Sequence, residues 1–66
     1  MKCKLNKSFL KTQIKLQQKT NEELVKSCKI TKLELEHINK NKPIELKKII
    51  KISRFININL YKLIKV

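Results

Sequence analysis

Sixty-six residues carrying 17 Lys and Arg against five acidic residues give a formal net charge of +12. That field draws polyanions, and the chain is short enough that a partner or a second copy would add to a modest core. No apolar run reaches the roughly 20 residues of a membrane span. The stretch MKCKLNKSFLKTQIKLQQ never develops the apolar centre of a signal peptide, so a cytoplasmic location is expected.

Helical spacing dominates, and the expected fold is all-α, in one domain covering residues 1–66. The first helix is predicted from about Lys7 to Gln18, with Phe9, Leu10, Ile14 and Gln17 on its inner side and Leu5 one turn earlier. Thr20 and Glu23 match a capping box, which starts a second helix near Asn21; it ends near Cys28, with Leu24, Val25 and Cys28 facing inward. Thr31 and Glu34 form a second box, starting a third helix at about Lys32 that ends near Asn39. Leu35 and Ile38 face inward, Ile30 fills the turn beneath them, and Lys32, Leu33, Glu36 and His37 lie on the opposite face. Two boxes so close together leave room for only a tight turn, at about residues 29–31.

Asn39 to Pro43 reads as a polar loop. Pro43 favours a fourth helix from about Ile44 to Phe55, with Leu46, Ile49, Ile50, Ser53 and Ile56 as its buried stripe. Asn57 suits a left-handed stop, and Asn59 caps a short fifth helix from Leu60 to Lys65, whose Leu60, Leu63 and Ile64 pack back. Strand signals are weak: alternation is confined to residues 56–60, which a turn explains as well.

These spacings resemble the lambda-repressor-like, Cro/cI-type (XRE) helix-turn-helix family from about Leu10 to Ile64. Leu24–Val25 is similar to the family's Leu-Ala, Ile30–Thr31 to its Val-Ser after the turn, and Leu35 and Ile38 to its two inward positions. Asn41–Lys42 is similar to its Gly-Lys. Leu46, Ile49, Ile50, Ser53 and Ile56, followed by Asn57–Ile58–Asn59–Leu60 and Leu63, resemble its fourth helix, turn and fifth helix. Lys29 replaces the turn glycine, Val25 replaces the small Ala, and Asn39 replaces the Glu of the family's Glu–Arg brace.

The resemblance implies a compact five-helix domain with a helix-turn-helix unit at about residues 21–39. It further implies a transcriptional repressor that binds a palindromic operator in double-stranded DNA as a homodimer, with the third helix in the major groove. Base-edge contacts would fall to Thr31, Lys32, Leu33, Glu34, Glu36 and His37. Lys32 would donate to guanine, Leu33 would touch a thymine methyl, and either glutamate would accept from cytosine. Read only as local chemistry, Glu34 closes its capping box and Glu36 pairs with Lys32 or Lys40. Phosphate contacts would fall to Asn21, Lys29, Lys40, Asn41 and Lys42, and the dimer contact to Tyr61, Ile64 and Val66. Lys47, Lys48 and Lys51 read as a solvated helix face.

Two other functions fit the same residues. One is a protein-interaction module on this fold, whose groove-facing acids bind another regulator or a polymerase subunit. The other is a cationic membrane-active peptide, from the basic amphipathic run at residues 44–66. Cys3 and Cys28 lack zinc-ligand spacing with the lone His37 and read as free thiols, Cys28 on the buried side. Without a Gly-rich phosphate loop or a nucleophile–base grouping, neither catalysis nor a cofactor is expected.

Overall fold

A computed structural model describes residues 1–65. Its elements are β1 (Lys2–Cys3), α1 (Lys7–Leu16), α2 (Asn21–Cys28), α3 (Lys32–Asn39), β2 (Ile44–Glu45), α4 (Leu46–Phe55) and α5 (Leu60–Leu63). The helices begin where a side chain can accept an orphan backbone N–H. Asn6, Thr20, Thr31 and Asn59 accept from the amides of Phe9, Glu23, Glu34 and Tyr61, respectively. The box at Thr31 closes in both directions. At Thr20 it does not, because Glu23 takes the Thr20 hydroxyl at 3.2 Å instead of the backbone N–H.

Four helices stop on a residue in the left-handed region, and none of the four is glycine: Gln18 (φ 55°), Lys29 (φ 52°), Asn41 (φ 57°) and Asn57 (φ 53°). After α1, α3 and α4 the same pair of bonds closes the end. Lys19 N–H reaches Ile14 O, Lys42 N–H reaches His37 O and Ile58 N–H reaches Ser53 O. The left-handed residue itself bonds back to Lys15, Ile38 or Arg54. This stop ends α1 at Leu16, two residues before the predicted Gln18.

The core is one cluster. Ile49, Ile52, Ile56 and Leu63 are 0% exposed, and Leu5, Leu10, Ile14, Leu24, Cys28, Ile30, Ile38 and Ile44 surround them. α4 lies at its centre, touching α2, α5 and β2. The buried stripe is Ile49, Ile52, Ser53 and Ile56; Leu46 and Ile50, predicted for it, are only half-buried. The chain has a radius of gyration of 10.4 Å, close to the roughly 11 Å of a fully collapsed chain of this length.

The N-terminal segment departs from the all-α expectation. β1 pairs antiparallel with β2, Lys2 opposite Glu45 and Cys3 opposite Ile44, and Leu46 N–H bonds to Met1 O. Two residues beyond β1, the chain meets the C-terminal region. Leu5 bridges Ile64, Asn6 N–H reaches Leu63 O at 2.6 Å and Lys65 N–H reaches Lys4 O at 2.8 Å. Ile44 and Glu45 are therefore extended, and α4 starts at Leu46 where helix had been expected from Ile44. The bridge also ends α5 at Leu63, short of the predicted Lys65, with Ile64 extended (φ −85°, ψ 127°).

Two substitutions test this architecture in thermal melts followed by circular dichroism. Lys29→Gly removes a Cβ from a left-handed residue and is expected to stabilise by about 1 kcal/mol, raising the midpoint by about 4–8 °C. Leu5→Ala empties a core position supplied by the strand and costs about 2–5 kcal/mol, lowering the midpoint by about 10 °C or more. An unchanged melt for Leu5→Ala would mean that the N-terminal strand is not part of the cooperative unit.

Candidate nucleic-acid interface

The α2–α3 pair is joined by Lys29, Ile30 and Thr31 alone. Ile30 N–H bonds to Val25 O at 3.1 Å and Ile30 is 5% exposed, so the turn is plugged by its own apolar residue. Outside the turn, Lys48 of α4 donates to Lys29 O at 2.6 Å and lies 3.7 Å from the Glu34 carboxylate. Both charged side chains are mostly covered, 16% exposed for Lys48 and 18% for Glu34. Lys48 was expected on a solvated face. It instead fastens α4 to the turn and to the first turn of α3, and it gives the left-handed carbonyl a partner.

This contact separates the two recognition-helix acids. Successive α-helical residues turn by about 100°, which gathers Lys32, Leu33, Glu36 and Lys40 on one side of α3. All four are exposed, Leu33 by 61%, and His37 borders them half-buried. Glu34 points to the flank, where it accepts Thr31 N–H at 2.9 Å and meets Lys48. Burial alone would raise its carboxyl. The backbone and hydroxyl hydrogen bonds of Thr31, with the Lys48 charge, outweigh that and hold it below its ordinary 4.5. Thr31 itself is exposed, but its hydroxyl is occupied as the α3 cap. Glu36 stands on the exposed side, and among the described residues it has no ion pair with Lys32 or Lys40.

Of the phosphate candidates, Lys40, Asn41 and Lys42 are exposed and close together just past α3, in the stop that Asn41 makes left-handed. Lys7, at the start of α1, joins them by donating to Asn39 O at 2.8 Å. Only the tertiary fold brings it there, from 32 positions away. Asn21 is exposed in the first turn of α2, beside Glu22 and Glu23, and Lys29 is exposed in the turn. Between α2 and α3, Asn21, Glu22, Val25, Lys26 and Leu35 line an open, mainly apolar concavity. Leu35 is half-buried at its edge, less enclosed than its predicted inward position.

Of the dimer candidates, Tyr61 is 82% exposed, while Ile64 packs against the core and its backbone bridges Leu5. Val66 lies outside the described residues. Cys3 is half-buried and Cys28 buried, both as free thiols. Burial pushes the Cys28 thiol up, against the opposing charges of Lys51 and Lys48. Among the described residues no three His, Cys, Asp or Glu side chains cluster as metal ligands, and no helix is long and apolar enough to cross a membrane.

The architecture is thus a small, mainly helical domain that projects a short exposed helix from a braced turn. Comparison with protein-family models, curated proteins and solved structures returned no match.

The Lys48–Glu34 contact predicts a pH effect of definite sign. A carboxyl held below its ordinary value stabilises the fold at pH above 4.5, and that contribution is lost as pH falls through the folded-state value. Glu34→Gln keeps a side-chain acceptor for the cap but removes the charge. Its denaturant-unfolding free energy should be lower than wild type at pH 7, with the two converging as pH falls below 4.5. A constant gap across that range would show that the charge of Glu34 does not stabilise the fold.

Proposed function

We infer that this chain is a divergent lambda-repressor-like, Cro/cI-type helix-turn-helix protein that binds duplex DNA in a sequence-selective way. It regulates transcription as a repressor, bound as a dimer to a palindromic operator. α3 occupies the major groove. Lys32, Leu33, Glu36 and His37 face base edges, while Lys40, Asn41 and Lys42, with Lys7 behind them, hold phosphates. The observation that carries this reading is the pairing of a rigid support with a free face. Lys48 and Ile30 fix the turn, and the far side of α3 is left exposed, ending in a group of cations. Direct readout needs that combination, because base discrimination requires side chains held on a rigid scaffold.

Glu36 favours a second reading, a protein-binding module on the same scaffold. It is an exposed acid on the face that would meet DNA, beside an exposed Leu33 and the apolar concavity of Val25 and Leu35. The membrane-peptide reading is weaker. Ile49, Ile52, Ile56 and Leu63, which would have to face lipid, are closed inside the core.

Selection of bound duplexes from a random pool, followed by fluorescence anisotropy on the winning sequence, tests the proposal. A two-fold symmetric site is expected, with log affinity falling against log salt by about 0.9 for every phosphate contacted. Reversing the charge at Lys40 and Lys42 together should weaken binding at least about tenfold at low salt. Unchanged affinity in that variant, or no duplex binding by a folded wild type at low salt, would sink the DNA reading. The second outcome would favour the protein-binding module.

A further inference from the structure

Among the described residues of α3 only Ile38, in the last turn, is fully buried. The first turn has no such anchor: Lys32 and Leu33 are exposed and Glu34 is half-buried. α4, the centre of the core, packs chiefly against α2, α5 and β2. It reaches α3 from the flank that Glu34 occupies, away from Lys32, Leu33, Glu36 and Lys40. Apolar packing therefore holds the end of α3 and leaves its beginning to the turn. Two contacts serve there. Ile30 plugs the turn from inside. From outside, Lys48 donates to Lys29 O at 2.6 Å and lies 3.7 Å from the Glu34 carboxylate. One ammonium thus ties together α4, the C-terminal stop of α2 and the first turn of α3. Because both charged side chains are mostly covered, salt screens this tie less than it screens an exposed pair.

The lever is short but sufficient. Positions 32 and 38 are about 9 Å apart along the helix axis. With Ile38 as pivot, a tilt of about 6° carries Lys32 through about 1 Å, whereas a recognition side chain must be held to within about 0.5 Å. A recognition helix meets base edges with its N-terminal residues, and that is the end of α3 left open to tilt. Lys7 ties the opposite end, donating to Asn39 O at 2.8 Å. Releasing Lys48 therefore loosens the beginning of α3 and leaves its end in place.

We propose that Lys48 is a positioning residue for base recognition: its ammonium, shared between Lys29 O and the Glu34 carboxylate, sets the angle at which the first turn of α3 presents Lys32 and Leu33 to base edges. Lys48 touches neither base nor phosphate. It governs discrimination between sequences and leaves the salt-dependent part of affinity alone. This rests on the inference that α3 reads duplex DNA, and it gives α4 a part in specificity that the resemblance to repressors did not assign.

The test is Lys48→Met, which keeps an apolar stem and removes the ammonium. Lys47→Met, at an exposed neighbour, removes the same charge without touching the tie. Anisotropy, run from about 50 to 200 mM salt, compares the selected duplex with duplexes carrying single base-pair changes. Lys32→Ala and Leu33→Ala identify the pairs that those two residues read. A mismatched pair costs about 5- to 150-fold in affinity. In Lys48→Met that penalty should shrink by about threefold or more at the Lys32 and Leu33 pairs, with the preferred sequence and the salt slope of Lys47→Met retained. Lys47→Met should discriminate like wild type. Undiminished penalties in a folded Lys48→Met overturn the proposal and leave the DNA reading standing. So does an even loss at every pair, which marks general softening, or an equal loss in Lys47→Met, which marks charge alone. A slope lower by about 0.9 than that of Lys47→Met makes Lys48 a phosphate contact and overturns it too. If folded wild type binds no duplex, both inferences fail together. Should Lys48→Met not fold, Glu34→Gln keeps an acceptor for Thr31 N–H and removes one end of the tie. It should lose discrimination at the same pairs, and full penalties there overturn the proposal.

Discussion

Everything in this fold depends on covering α4. Its apolar residues fall on one stripe, and Ile49, Ile52 and Ile56 lose all contact with water. A single ten-residue helix cannot bury them alone, and no neighbour is long enough to do so singly. α2 covers one flank, α5 folds back over another, and β2 with the strand beside it closes the start. Apolar burial at about 25 cal/mol per Å2 is the main favourable term for so small a domain, and α4 is where that burial is concentrated. The α2–α3 pair is rigid because it is part of this cover.

The second constraint is the scarcity of negative charge. With five acids against 17 Lys and Arg, each carboxylate placed at a joint matters to the charge balance. Glu45 lies 3.7 Å from the terminal ammonium of Met1, Glu34 meets Lys48, and Glu23 holds Thr20. Carbonyls take up part of the excess positive charge. Lys48 and Lys7 end on carbonyls at the C-terminal ends of α2 and α3, where the last carbonyls of a helix lack partners, and the neutral Gln17 does the same for Ile56 O. Exposed lysines stand along the whole chain, and the proposed DNA contacts fall on those beside α3.

Local chemistry made most of this readable from sequence. Thr20, Thr31 and Asn59 announce their helices because a cap needs only residues within one turn. Asn57 announces its stop for a similar reason, since Asn tolerates the left-handed conformation, whereas the stop at Lys29 was legible only through the resemblance, where it replaces the turn glycine. What escaped was non-local. Lys2–Cys3 form a strand and Leu5 a bridge only because Ile44 and Ile64 lie beside them, and nothing within residues 2–5 encodes partners so distant. Lys48 looks like any other lysine of α4 until the turn carbonyl arrives 19 positions away in sequence. The candidate recognition face was legible in outline, from helical spacing. The capping role of Glu34, off that face, was legible from Thr31 and Glu34 alone, but its contact with Lys48 was not.

The N-terminal strand also bears on the order of assembly. It is synthesised before its partners, residues 44–46 and 63–65, so it must wait for both of them. Helices such as α2 and α3 form from neighbours in about a microsecond, whereas joining the two ends of a chain is slow because the loop must close first. In the interval Leu5 and the edges of Ile44 and Ile64 have no cover. Newly made copies would therefore be most prone to cross-pair with one another through that strand, exchanging it between chains, while the α2–α3 unit was already formed.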